Sequence, residues 1–244
     1  MEAVRTRLAL PQLRAALLAL LLLGSVAAAD DTRYIAAGSL DLTALLPPPP
    51  AAGSAEARQD LSAVLAAQAA RTPETVAAAK ADAMVSVFRF ADVLGPAFTS
   101  DRLPATTLLF RNIGREGTEI GRRAKDHWQR PRPYRFTDQV TSLVGVSSDG
   151  SYPSGHALYG CMTAVLLGVI VPETRPELLA RGSAYAQQRV IAGVHYPTDV
   201  EAGCTAGRIV AAVLLQSPAF QDALAAAREE TRAALGLAKL APAD

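Results

Sequence analysis

The sequence predicts an all-α fold, a single-domain helical bundle, on three observations. By count, 49 of its 244 residues are alanine, the best helix former and a poor strand former. Half of the residues are hydrophobic but only 5% are aromatic, so a core would be built largely from aliphatic and small side chains. Apolar positions recur at helical spacing along most of the chain. The length allows one ordinary domain or two small ones, and no repeat at solenoid periods is visible. The charges, 24 basic against 23 acidic, argue against a polyanion binder, which usually carries a basic excess. Two cysteines and three histidines exclude a multi-disulfide scaffold and argue against a histidine-rich metal centre.

Residues 1–29 read as a signal peptide. Arg5, Arg7 and Arg14 form a positive leader, Ala15 to Leu23 an apolar core, and Ala27-Ala28-Ala29 a small-residue cleavage site. An uncleaved anchor is the weaker alternative, because the apolar run is short of the ~20 residues that span a bilayer. This predicts a periplasmic or secreted location, where Cys161 and Cys204 could pair; two buried thiols are the equal alternative. Residues 30–53 read as a proline-rich N-terminal arm containing Pro47 to Pro50, and residues 54–244 as the helical domain.

Within that domain Ser54 is a helix cap, followed by Leu61, Val64, Leu65 and Ala69 at helical spacing. A second helix follows Thr72-Pro73, with proline at the first helical position and Glu74 in the first turn. A third spans 105–128 on a stripe of Leu109, Ile113, Ile120, Ala124 and Trp128. Prolines, glycines and polar residues make 131–150 a long loop, and long loops inside a domain are usually functional. Further helices are predicted over 155–171, 175–191, 198–215 and 218–237. The longest uncharged stretch after the leader, Ala157 to Val171, reads as a buried core helix.

Three short segments concentrate the unusual chemistry. The first runs from Lys125 to Pro133 and contains Arg132 as K-x6-R-P. The second is Gly150-Ser151-Tyr152-Pro153-Ser154-Gly155-His156. The third, Arg189 to Asp199, carries His195 as R-x5-H-x3-D. Each is modest evidence alone, but their order and spacing together are specific. Together they resemble the three-part signature of the type 2 phosphatidic acid phosphatase superfamily, which also includes the vanadium haloperoxidases. The surrounding sequence, over roughly residues 38–215, is similar to the bacterial class A non-specific acid phosphatases. Two positions depart from that group: Gln188, where a serine is usual, and Ala157, where threonine is common.

The residues support the phosphatase chemistry that the resemblance implies. A phosphoryl transition state spreads charge over three equatorial oxygens and needs fixed cations and donors around one point. Lys125, Arg132 and Arg189 can supply the cations. Ser154 can cap the helix that begins at Gly155, whose missing side chain lets the backbone approach phosphate. Asp199, four residues after His195, can hold one ring nitrogen and leave the other free. By resemblance His195 is the nucleophile that forms a phosphohistidine, and His156 the general acid and base. His127 lies outside the matched positions and reads as a packing or surface residue.

The expected activity is thus a broad-specificity acid phosphatase acting on small soluble phosphomonoesters. No cofactor or metal is expected, no nucleic-acid partner, and no stable membrane insertion after signal cleavage; a homo-oligomer is left open. The alternatives are a vanadium-dependent haloperoxidase, disfavoured by the short chain, and a non-catalytic phosphate-binding protein, which would need neither histidine nor Asp199. A lipid phosphate phosphatase is disfavoured because the chain lacks the transmembrane helices those members use.

Overall fold

The computed structural model describes residues 32–240, so the leader expected over 1–29 lies outside the described residues. Among the described residues there is no strand, and the α-helices follow in chain order: α1 Leu42–Leu45, α2 Ala55–Ala69, α3 Pro73–Ala81, α4 Ala91–Leu94, α5 Pro104–Trp128, α6 Pro133–Phe136, α7 Gly155–Ile170, α8 Arg175–Ile191, α9 Pro197–Leu214 and α10 Pro218–Ala234. The all-α architecture is as the sequence predicts. Short 3-10 turns at Val87–Phe90, Ser100–Arg102 and Pro172–Thr174 join some of them.

Side-chain caps explain the starts of α1, α2, α3 and α7. Ser54 accepts from the Ala57 amide at the head of α2, and Thr72 and Thr75 form a capping box on α3. Helix α5 has no cap of its own; Glu230 of α10 accepts from the Ala105 and Thr106 amides at 2.9 and 2.8 Å. No local pattern announces a cap supplied from 125 residues away. At the other end of α5, Gln129 turns left-handed (φ 48) and directs Arg130-Pro131-Arg132 across the helix end. The tail helix stops at Ala234, short of the predicted 237, because Gly236 takes the left-handed conformation (φ 69) that closes a helix.

Helix α7 is the axis of the bundle. Leu158, Met162, Leu166, Leu167 and Ile170 are each at most 1% exposed, and α8 and α9 pack along it. The α9 contact depends on two glycines. A Cβ at Gly207 would lie 2.3 Å from the Leu158 carbonyl oxygen and 2.9 Å from the Met162 amide; one at Gly203 would lie 2.4 Å from the Ser154 carbonyl oxygen. The obstructing atoms are backbone, so rotamer changes cannot relieve the clash. Gly207→Ala is therefore expected to lower folding stability by about 2–3 kcal/mol, the upper end of the usual overpacking cost; an unchanged urea midpoint would contradict this contact. Cys161 of α7 and Cys204 of α9 are disulfide-bonded across the same interface, with Cα atoms 5.1 Å apart, so of the two alternatives the paired one holds.

The segment before α2 is more structured than its prolines suggest. It contains α1, and Ile35, Leu40, Leu42 and Leu46 are buried in the main core. Buried Glu116 of α5 accepts from the Tyr34 and Ile35 amides at 2.9 and 2.8 Å. Tyr152, just before α7, donates its hydroxyl to the Pro47 carbonyl at 2.6 Å. The predicted 131–150 loop is interrupted by α6 and leads directly to the head of α7.

Candidate active site

The ends of four elements meet at one cavity of ≈ 350 Å³, bordered by Lys125, Arg132, Asp149, Gly155, His156, Arg189 and His195. Lys125 is in the last turn of α5, Arg132 in the α5–α6 linker, Gly155 and His156 at the head of α7, Arg189 in the last turn of α8, and His195 just before α9. Six of the eight sequence-predicted site residues thus border one space. Asp199 lies behind His195. Ser154 is fully buried: its hydroxyl accepts from the Ala157 amide at 3.3 Å, and its own amide donates to the Asp199 carbonyl at 2.9 Å. It shapes the head of α7 without bordering the cavity. Neither Ala157 nor Gln188 borders it either. A larger cavity of ≈ 580 Å³ adjoins through Val85, Gly114, Thr118, Arg122 and Tyr159, but holds neither histidine.

Hydrogen bonding assigns the protons on both rings. Arg132 Nη1 lies 3.0 Å from His195 Nε2. A guanidinium nitrogen only donates, so Nε2 carries the lone pair and Nδ1 the proton, which points to Asp199 Oδ2 at 3.3 Å. That carboxylate oxygen also accepts from the Tyr196 amide at 2.9 Å and from the Ser151 hydroxyl. His156 has the opposite tautomer: Nε2 lies 2.9 Å from the Ala83 carbonyl, which only accepts, so Nε2 donates and Nδ1 is free to exchange a proton.

The electrostatics suit an anion. Lys125 is buried; burial first, then Arg132, push its ammonium down to about 8, against the opposing pull of Asp149. Arg189 is 5% exposed, and its Nε and Nη1 find no hydrogen-bond partner among the described residues. Burial pushes this guanidinium down to about 10, still cationic at neutral pH. Asp149, half-exposed, bridges the other two cations, with Oδ1 2.7 Å from Arg132 Nη2 and Oδ2 3.2 Å from Lys125 Nζ. Lys125 also donates to the Gly150 carbonyl at 2.5 Å.

Burial, with Arg189 next, pushes His156 down to about 4. Burial, aided by Arg132 and Lys125 and opposed by Asp199, holds His195 lower still. An unfolded chain takes up protons at both rings below about pH 6.5, and the fold resists them until about pH 4 or below. Unfolding therefore gains protons over this window, and stability falls as pH falls, with a limiting slope of about 1.4 kcal/mol per pH unit per ring. Thermal melts of the unliganded protein from pH 7 to pH 4 are expected to show a steady decline; a level Tm would show that the rings are not held neutral.

Four residues at or behind the site escaped the sequence reading. Asp149 ends the loop just before the second segment, Ser151 lies inside that segment without a role assigned to it, and Arg130 lies inside the first, at a position the K-x6-R-P pattern leaves unspecified. Asp60 of α2 is buried against Arg130 at 2.7 Å. Only Arg130, embedded in Arg-Pro-Arg-Pro, had a local signal. Among the described residues no three His, Cys, Asp or Glu side chains group as a metal-ligand set. His127 is exposed and touches the Trp128 ring edge-on, with centroids 5.4 Å apart.

Comparison with known proteins is consistent with this constellation. The family model described as PAP2 superfamily matches residues 105–222. A non-specific acid phosphatase of Providencia stuartii is 32% identical over 201 residues, covering 79% of this chain and 81% of that protein. One of Salmonella typhi is 36% identical over 146 residues, 58% of each chain, so the match spans little over half of that relative's length. Among solved structures, the transmembrane PAP2 type phosphatidylglycerolphosphate phosphatase of Bacillus subtilis matches with 18% identity and a TM-score of 0.48, over 67% of this chain and 86% of that one.

The expected periplasmic or secreted location is corrected by a candidate broken membrane span among the described residues. No single described helix is long and apolar enough to cross a membrane, but α9 and α10, bent by 98°, pass the length and composition test together. No single apolar run of the sequence shows such a span, because it is broken between two helices.

Proposed function

We propose, on the premise that this chain belongs to the PAP2 superfamily, that its cavity hydrolyses small phosphomonoesters through a covalent phosphohistidine without a metal. The observation that carries this reading is Arg189, a buried cation with two unpartnered donors beside two histidines of opposite tautomer. Burying an unpaired charge is costly, and a phosphate dianion would supply its partner.

In this reading Lys125, Arg132 and Arg189 surround the equatorial oxygens, with the head of α7 at Gly155 adding the positive end of its dipole. Ser154 acts by capping that helix. The Nε2 lone pair of His195 attacks phosphorus as the bond to the leaving oxygen breaks. The ring becomes a cation carrying phosphorus on Nε2 and hydrogen on Nδ1, which Asp199 stabilises. His156, protonated on Nδ1, gives that proton to the leaving oxygen. The dianion bound nearby raises the His156 pKa from its low unliganded position, so substrate binding prepares its own acid. His156 then takes a proton from water, whose oxygen attacks phosphorus and breaks the P–N bond, releasing phosphate.

The test is turnover of p-nitrophenyl phosphate by the full chain with a chelator present. Steady phosphate release that vanadate inhibits competitively is the expected result; no release, or release that needs added metal, would overturn the proposal.

A further inference from the structure

Behind the His195–Asp199 pair lies a buried chain of charges. Arg130 is 9% exposed, Asp60 4% and Asp199 fully buried. Arg130 Nη1 donates to Asp199 Oδ1 at 2.7 Å and to Thr198 Oγ1 at 2.8 Å, while Nη2 donates to Asp60 Oδ2 at 2.7 Å. The guanidinium also lies over the Tyr196 ring, 4.1 Å from its centroid. Asp60 is held by the Thr198 amide at 3.2 Å and by the Thr198 hydroxyl. The order is therefore carboxylate, guanidinium, carboxylate, imidazole, running from α2 to the cavity wall. Neither Arg130 nor Asp60 borders the cavity, so any influence on the reaction passes through Asp199.

We propose that Arg130 is a positioning residue that sets how much of the Asp199 charge reaches His195, and that Asp60 shares its guanidinium with Asp199. The inference rests on the reading of His195 as the nucleophile. Its logic is a balance between two failures. An Asp199 carboxylate with no other partner would pull a proton onto Nε2 of His195 and remove the lone pair that must attack. A carboxylate wholly neutralised would not stabilise the cationic phosphoimidazole. Arg130 takes one oxygen of Asp199, leaving Oδ2 to His195, Ser151 and the Tyr196 amide. The Asp199 carboxylate is thus held by four groups on three separate segments.

The other ionisable groups facing this chain do not confuse its titration at low pH. Lys125 on α5, pushed down to about 8 and so cationic in acid, and the Arg132 guanidinium on the linker lie on the His195 side. Asp149 is bound between those two cations, which, with Ser147, hold its carboxyl well below the usual range despite burial. Tyr152 and Tyr196 are each pushed up to about 12, mainly by burial, and stay neutral.

The experiment compares the full chain with Arg130→Gln, Arg130→Lys and Asp60→Asn, reading the acid limb of kcat/KM against pH and the NMR titration of the His195 ring. Arg130→Gln is expected to move both upward by about one pH unit, a tenfold loss of kcat/KM at the acid end. Arg130→Lys, which keeps the charge, should restore most of that loss. Asp60→Asn leaves Arg130 wholly to Asp199 and should not raise the His195 titration. A folded Arg130→Gln with an unmoved titration, or an upward shift in Asp60→Asn equal to that of Arg130→Gln, would overturn the inference. Should Arg130→Gln fail to fold, the double variant with Asp60→Asn removes one charge of each sign, and the same upward shift is required of it. An inactive wild-type chain would sink the hydrolase reading, while the ring titration would still decide whether Arg130 sets the charge at His195.

Discussion

His195→Ala is expected to lower kcat on p-nitrophenyl phosphate by at least about 10⁴-fold, the scale seen when a covalent nucleophile is removed. In the proposed reaction the nucleophile is a single atom. His195 Nε2 borders the cavity and is unprotonated because Arg132 donates to it, while Nδ1 is committed to Asp199. No second nitrogen can take over: His156 Nε2 is engaged by the Ala83 carbonyl, and its Nδ1 is assigned to proton transfer. Rapid quenching of wild type with labelled substrate should trap an acid-labile, base-stable phosphoprotein that His195→Ala lacks. A His195→Ala protein retaining turnover within tenfold of wild type would show that the nucleophile lies elsewhere.

The second large effect is a trade of stability against activity at Arg189. Its buried Nε and Nη1 have no partner among the described residues, so the unliganded fold carries a desolvated cation whose partner, in the proposed reaction, is the substrate. Arg189→Met keeps much of the apolar stem and removes that burden. It is expected to raise unliganded stability by about 1–3 kcal/mol, the usual cost of leaving a buried polar group unsatisfied, and to lower kcat/KM by about 10²–10³-fold, the loss typical of one donor to a developing oxyanion. Inorganic phosphate or vanadate should raise the Tm of wild type and leave that of Arg189→Met nearly unmoved. A variant less stable than wild type, with ligand stabilisation intact, would mean that Arg189 is structural and the anion binds without it.

Lys125, Arg132, Gly155, His156, Arg189 and His195 stand in segments whose internal spacing is short, so local order reports their chemistry before any folding is known. Helices were legible for the same reason: Ser54, Thr72 and Pro73 are local signals at the starts of α2 and α3, and the stripe from Leu109 to Ala124 marks α5, which carries Lys125. Asp60 had no such signal. An aspartate inside an alanine-rich helix usually faces solvent, and this one is buried only because Arg130 reaches it across 70 residues of chain. Asp149 resembled any polar residue of a loop until Lys125 and Arg132 were seen on either side of it. The cap that Glu230 supplies to α5 was hidden in the same way.

The sequence by itself determined that this chain is helical and gathered eight candidate residues, two of the three histidines among them, into three short segments; six of the eight border one cavity. Helical propensity, capping and motif spacing act over a few residues and are written in local order. Tertiary structure alone decided which protons those histidines carry, that Cys161 and Cys204 are bonded, and that a carboxylate on α2 stands behind the guanidinium that holds Asp199. Each of these depends on desolvation and on partners brought together from distant parts of the chain, and electrostatic energies change severalfold between water and a buried site.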